Sequence, residues 1–150
     1  MAKILILGGG YGGIMTAVTL QKKLHYNEAE VTLVNENSYH YFTTELHMPA
    51  AGTYHHERVR VPIKSLLNEN RIRFVQGRVA AIHLPSQQVE LENGESLTYD
   101  YLVIALGSAP ETFGIQGLLE YAYGIRNINT VRMIRQHIEY MFARYANEPE

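Results

Sequence analysis

The stretch from Lys3 to Leu24 constrains the fold more than any other part of the chain. Ile4, Leu5, Ile6 and Leu7 form a continuous apolar run, the pattern of a strand buried on both faces of a parallel sheet. Gly8, Gly10 and Gly13 follow at once and match G-x-G-x-x-G. Gly8 permits the tight turn, Gly10 lets backbone approach a pyrophosphate, and Gly13 lets the next helix pack closely on the strand. That helix, read from about Gly13 to Leu24, turns Ile14, Ala17, Val18 and Leu24 inward and Gln21, Lys22 and Lys23 outward. Its first turn aims unpaired N–H groups and a positive dipole end at the space above the glycines, where a diphosphate fits. Strand, glycine turn and helix in this order predict the opening unit of a dinucleotide-binding α/β fold.

A second apolar run, Val31 to Val34, predicts the next strand. Dinucleotide folds place an acid at the end of this strand, about 20 residues past the glycines, to accept from a ribose hydroxyl. Here Asn35 holds that register and Glu36 is the acid one step on; both are candidates, because an amide oxygen also accepts. Tyr39 to Gly52 carries aromatics and hydroxyls without a clean period. It suits the walls of a flat ring site, with Thr43 or Thr44 supplying polar contacts, or a packed connection between elements. His40, His47, His55 and His56 follow no standard zinc spacing and read mostly as surface or loop histidines.

Pro62 predicts the opening of a short helix reaching Leu67, and Arg71 to Val75 alternates as a third strand. From Gly77 to Thr98, short alternating runs are punctuated at Pro85-Ser86 and Asn93-Gly94, which predicts an antiparallel meander. A plain NAD-binding Rossmann domain would place a crossover helix there. Leu102 to Leu106 predicts another buried strand, and Gly107 after it brings backbone close to a ligand at the carboxyl edge of the sheet. Val131, Ile134, Ile138, Met141 and Phe142 recur at helical spacing between about Asn129 and Arg144, and the tail from Ala146 reads as a linker.

With 150 residues the chain can form one domain burying roughly 70% of its unfolded surface. A net charge of -2 gives no electrostatic reason to expect nucleic acid, so an anionic cofactor must be held by local dipoles. There are no cysteines, hence no disulfide, no thiolate metal site and no redox dithiol. No signal-type stretch and no apolar run of spanning length stands out, and the chain reads as soluble and cytosolic.

Taken together, both glycine elements and the meander resemble the N-terminal part of two-dinucleotide flavoproteins, the superfamily that includes glutathione reductase. Within it, Leu33 to His47, and Tyr99 to Ser108 with Pro110 to Ile115, closely resemble type II NADH dehydrogenases; Thr43-Thr44-Glu45-Leu46-His47 is similar to the variants of Gram-positive bacilli. The resemblance implies an α/β, Rossmann-like FAD-binding domain with a parallel sheet, helices and an inserted antiparallel meander, over residues 1–146. Residues 147–150 would begin a linker to an NADH-binding domain. It implies that Gly8, Gly10, Tyr11, Gly12 and Gly13 cradle the FAD pyrophosphate, that Asn35 and Glu36 lie by the adenosine ribose, and that Val79 meets the adenine through its backbone. Thr43, Thr44, Ala105, Leu106 and Gly107 would approach the flavin. Asn35 departs from the acid common in the superfamily.

The resemblance also accounts for the missing cysteines. Disulfide reductases of the superfamily carry their dithiol where this chain has Thr43 to His47, whereas type II enzymes pass hydride from NADH to FAD and then two electrons to a membrane quinone. No second G-x-G-x-x-G is present. The chain is therefore expected to be the FAD-binding part of an NADH:quinone oxidoreductase at the cytoplasmic membrane face, inactive alone, with its catalytic residues elsewhere. The other expectations are a different cysteine-free flavin-dependent quinone oxidoreductase, or an apo binding module that forms a homo-oligomer through exposed apolar surface.

Overall fold

A computed structural model describes residues 1–148 of the chain. They fall into two compact units: Met1–His40 with Val61–Ser108, and Tyr41–Arg60 with the residues from Ala109 onward.

The first unit is built on a four-stranded parallel sheet of β1 (Ala2–Leu7), β2 (Ala29–Asn35), β5 (Ile72–Gln76) and β9 (Tyr101–Ile104), in the order β5-β2-β1-β9. The continuous apolar runs become its central strands because both faces are covered. On one face α1 (Tyr11–Lys23) and α3 (Ile63–Leu66) pack over Ile6, Val31, Leu33 and Ile72, with Ile14 and Ala17 fully inside. On the other, Leu5, Leu7, Val34 and Val75 pack against Val89, Leu91 and Tyr99 of the meander region. The expected meander is present as β6 (Val79–His83), β7 (Gln88–Leu91) and β8 (Ser96–Thr98), antiparallel throughout, with Gly94 at φ 83° in the second turn. Two-strand pairing of β3 (Tyr39–Tyr41) with β4 (Arg60–Pro62) lies where the chain passes between the units.

The expected elements are present with shifted ends, and β3, β4 and the short helical turns of residues 43–59 and 118–121 come in addition to them. Helix α1 starts at Tyr11 because Gly10, extended at φ -75° and ψ -172°, serves as its N-cap; Gly12 and Gly13 therefore lie inside the first turn. Proline 62 ends β4 and caps α3 instead of opening it.

The second unit contains two short 3-10 turns, Thr43–Glu45 and His56–Val59, then α2 (His47–Ala50), α4 (Leu118–Tyr121) and α5 (Ile128–Asn147). Pro49 is tolerated within α2 because an amide in the first helical turn has no partner to lose. A capping box opens α5: Thr130 N–H donates to Asn127 Oδ1 at 3.0 Å, and Asn127 N–H donates back to the Thr130 hydroxyl at 3.3 Å. The helix continues to Asn147, past the expected end at Arg144; Pro149 and Glu150 of the expected linker lie outside the described residues. Its expected apolar face is only half used, since Val131 is buried while Phe142 is 73% exposed. Among the described residues no helix is long and apolar enough to cross a membrane.

Candidate functional site

Strand β1 pairs with β2 on one side, where β5 lies beyond β2, and with β9 on the other, so the order of the sheet reverses between β1 and β9. Open α/β sheets bind ligands at this point, outside the carboxyl ends of the strands. The Gly8–Gly13 turn occupies it, and Ala105 joins it from β9 by donating its N–H to Leu7 O at 2.8 Å.

The glycines of the turn divide into two sets. A Cβ on Gly8 would overlap the Ala105 carbonyl, and φ there is 103°, a conformation open to glycine. On Gly13 it would overlap the Gly8 carbonyl oxygen, and on Gly9 it would come within 2.7 Å of Asn35 Cγ. These three are required by the fold. A Cβ on Gly10 meets nothing within 4 Å, and one on Gly12 meets only Ala105 Cβ at 3.6 Å. The protein itself does not need glycine at these two positions, and both face outward. A ligand lying against the backbone would need it.

The polar groups of the turn sort the same way. Gly8 N–H donates to Val34 O at 2.8 Å, Gly9 N–H to Asn35 Oδ1 at 2.7 Å, and Gly10 O accepts from Ile14 N–H at 3.0 Å. Gly10, Gly12 and Gly13 have N–H groups with no acceptor among the described residues. No acidic side chain sits in the first turn of α1 to cap them. N–H groups without an acceptor at a helix start, with room against the backbone at Gly10 and Gly12, fit a diphosphate.

Asn35 and Glu36 sit at the same edge. Asn35 commits its amide to the turn, accepting from Gly9 and donating Nδ2–H to Asn37 O at 2.8 Å. Glu36 is exposed, and its carbonyl accepts from Gln76 Nε2 at 3.2 Å. Gly77 N–H donates to Asn35 O at 2.9 Å, which brings the start of the meander, and Val79 two residues on, to this edge. Leu106 and Gly107 extend from Ala105 with Leu106 54% exposed and Gly107 at φ 83°. Thr43 and Thr44 belong to the second unit, in an exposed 3-10 turn.

His40 is the exception to the reading of the histidines as mostly surface or loop groups. It is 4% exposed, its Nδ1 lies 2.8 Å from Gly9 O, and its ring meets Tyr11 edge-on with centroids 5.0 Å apart. Its partner lies 31 residues away in sequence, so no local pattern could reveal it. Among the described residues no three histidine, aspartate or glutamate side chains converge as a metal site.

The second unit holds a cavity of about 380 Å³ lined by Tyr54, His55, His56, Arg132 and Arg135, among others. Arg135 is tied to Glu139 at 2.7 Å and to the Ala51 carbonyl at 3.0 Å. Burial lowers the pKa of His56, helped by neighbouring His55; Arg60, hydrogen-bonded to Glu57, lowers that carboxyl in turn.

This sheet order, glycine turn and meander define a dinucleotide-binding α/β module. The profile of the pyridine nucleotide-disulphide oxidoreductases matches residues 2–140, and the chain belongs to that family. Over 148 residues it is 45% identical to the type II NADH:quinone oxidoreductase of Staphylococcus haemolyticus and 44% to that of Staphylococcus aureus. These matches cover 99% of the chain, and the chain spans 37% of each relative's length. Among solved structures, the sulfide:quinone oxidoreductase of Aquifex aeolicus superposes with a TM-score of 0.83 at 28% identity, over 95% of this chain and 33% of that one. NDH2 of Plasmodium falciparum, solved in complex with NADH, gives 0.82 at 26% identity, over 99% of this chain and 30% of that one.

Proposed function

We propose that the chain is the FAD-binding part, residues 1–146, of a flavoprotein that oxidises NADH and reduces a membrane quinone from the cytoplasmic face. One observation carries this reading: at Gly10 and Gly12, both exposed, the fold has no use for glycine, while the N–H groups of Gly10, Gly12 and Gly13 have no acceptor among the described residues. The similarity to type II NADH:quinone oxidoreductases supports the choice of cofactor and electron route. The backbone of Gly10, Tyr11, Gly12 and Gly13 would hold the pyrophosphate. Gly8 shapes the turn. Glu36 would accept from the ribose, with Asn35 beside it, and the Val79 backbone would meet the adenine. Ala105, Leu106 and Gly107 would approach the flavin; the same role for Thr43 and Thr44 rests on the resemblance alone. When bound, FAD supplies the hydride and electron transfer, and the protein orients it and tunes it.

The structural likeness to a sulfide:quinone oxidoreductase favours, as second reading, another cysteine-free flavin-dependent quinone reductase. Exposed Phe113, Leu119, Tyr121 and Phe142 support the further possibility of self-association in the absence of flavin.

Incubation with FAD followed by desalting tests the proposal. A flavin absorption spectrum near one equivalent supports it. A colourless chain that instead binds NADH would overturn the cofactor assignment.

A further inference from the structure

Both polar atoms of the Gly9 peptide residue are held by side chains from the far end of β2 and the segment after it. Asn35 Oδ1 accepts from its N–H at 2.7 Å, and His40 Nδ1 lies 2.8 Å from its carbonyl. A carbonyl oxygen only accepts, so the His40 ring carries a proton on Nδ1. Asn35 is itself fixed by Asn37 O, and His40 is wedged by burial and by the edge of Tyr11. Neither side chain is placed by packing alone, since each ends on a specific backbone atom of the turn.

We propose that Asn35 and His40 form a clamp of positioning residues for the phosphate turn. By occupying Gly9 N–H and Gly9 O, they orient the peptide that leads into Gly10, and so keep the next N–H groups turned outward. This gives Asn35 a purpose that an acid at its position would not serve equally: Oδ1 holds Gly9 while Nδ2–H donates to Asn37 O, which a carboxylate cannot do. The consequence for FAD rests on the proposed function; the clamp itself does not.

The clamp is tested first on the ligand-free chain. Nitrogen-15 NMR of the His40 ring should find the proton on Nδ1; an unprotonated Nδ1 overturns the proposal. Replacing the ring by His40→Leu removes the donor at similar bulk, whereas His40→Asn keeps an N–H donor at the corresponding position. FAD affinity should fall roughly tenfold in His40→Leu, the loss of one buried hydrogen bond, and return to within about threefold of wild type in His40→Asn. Equal affinity in all three chains overturns the positioning role. Should wild type take up no FAD, the flavin reading fails, and hydrogen exchange then decides the clamp. The Gly9 amide, held by Asn35, should exchange faster in His40→Leu than in His40→Asn, and identical rates overturn it.

Discussion

The first unit has a buried apolar cluster on each face of one sheet, whereas the second leaves much of its longest helix uncovered. In the first, Ile6, Leu7 and Leu33 have no exposed surface, with α1 on one side and the meander on the other. In the second, α5 buries Ile128 and Val131 near its start but leaves Tyr140, Met141, Phe142 and Tyr145 exposed at 60%, 45%, 73% and 69%. Substitutions in the first unit should therefore register as lost folding stability. On the distal half of α5 they should register in association and leave folding almost unchanged.

The largest effect is expected from Gly13→Val, whose Cβ would overlap the Gly8 carbonyl oxygen. A backbone clash of this kind should cost about 4 kcal/mol or more in urea denaturation, and unfold a marginal domain. Leu33→Ala empties a fully buried site in the centre of the sheet and should cost about 3 kcal/mol. Acid should act on the second unit next. His56 has its pKa lowered from 6.5, so the unfolded chain binds that proton more readily, and stability is full above 6.5 and declines as pH falls below it. Glu57, also lowered, adds a loss in the same direction at lower pH. A pH titration of the second unit's unfolding should show this slope, and His56→Gln should flatten it near pH 6. Smallest is Phe142→Ser, expected to change folding by less than about 0.5 kcal/mol while reducing concentration-dependent sedimentation. If Phe142→Ser instead destabilised as much as Leu33→Ala, the contrast between the units would not hold.

The parts legible in the sequence were those whose signals are local. The run Ile4 to Leu7, the glycines after it and the helix beyond occupy adjacent residues, and the meander is punctuated by its own turns. The start of α5 is likewise local, since Asn127 and Thr130 cap it three residues apart. Less legible were contacts made at a distance. Asn35 stands in the ribose register, yet its oxygen reaches 26 residues back to Gly9, and His40 looked like one of several loop histidines while reaching 31 residues back to the same residue. Helix α2 was hidden by Pro49, which reads as a breaker but sits where its missing N–H does no harm. The exposed half of α5 looked like core because its spacing is that of a buried face, and spacing does not say whether anything covers it.

The central claim is that the turn's glycines serve two masters: Gly8, Gly9 and Gly13 the fold, Gly10 a diphosphate. Gly10→Val tests it most directly, read by urea denaturation and by FAD retention after desalting. Because a Cβ there meets nothing within 4 Å, the midpoint should match wild type while flavin retention is lost. A chain that keeps its flavin, or one that loses its fold, would contradict the account.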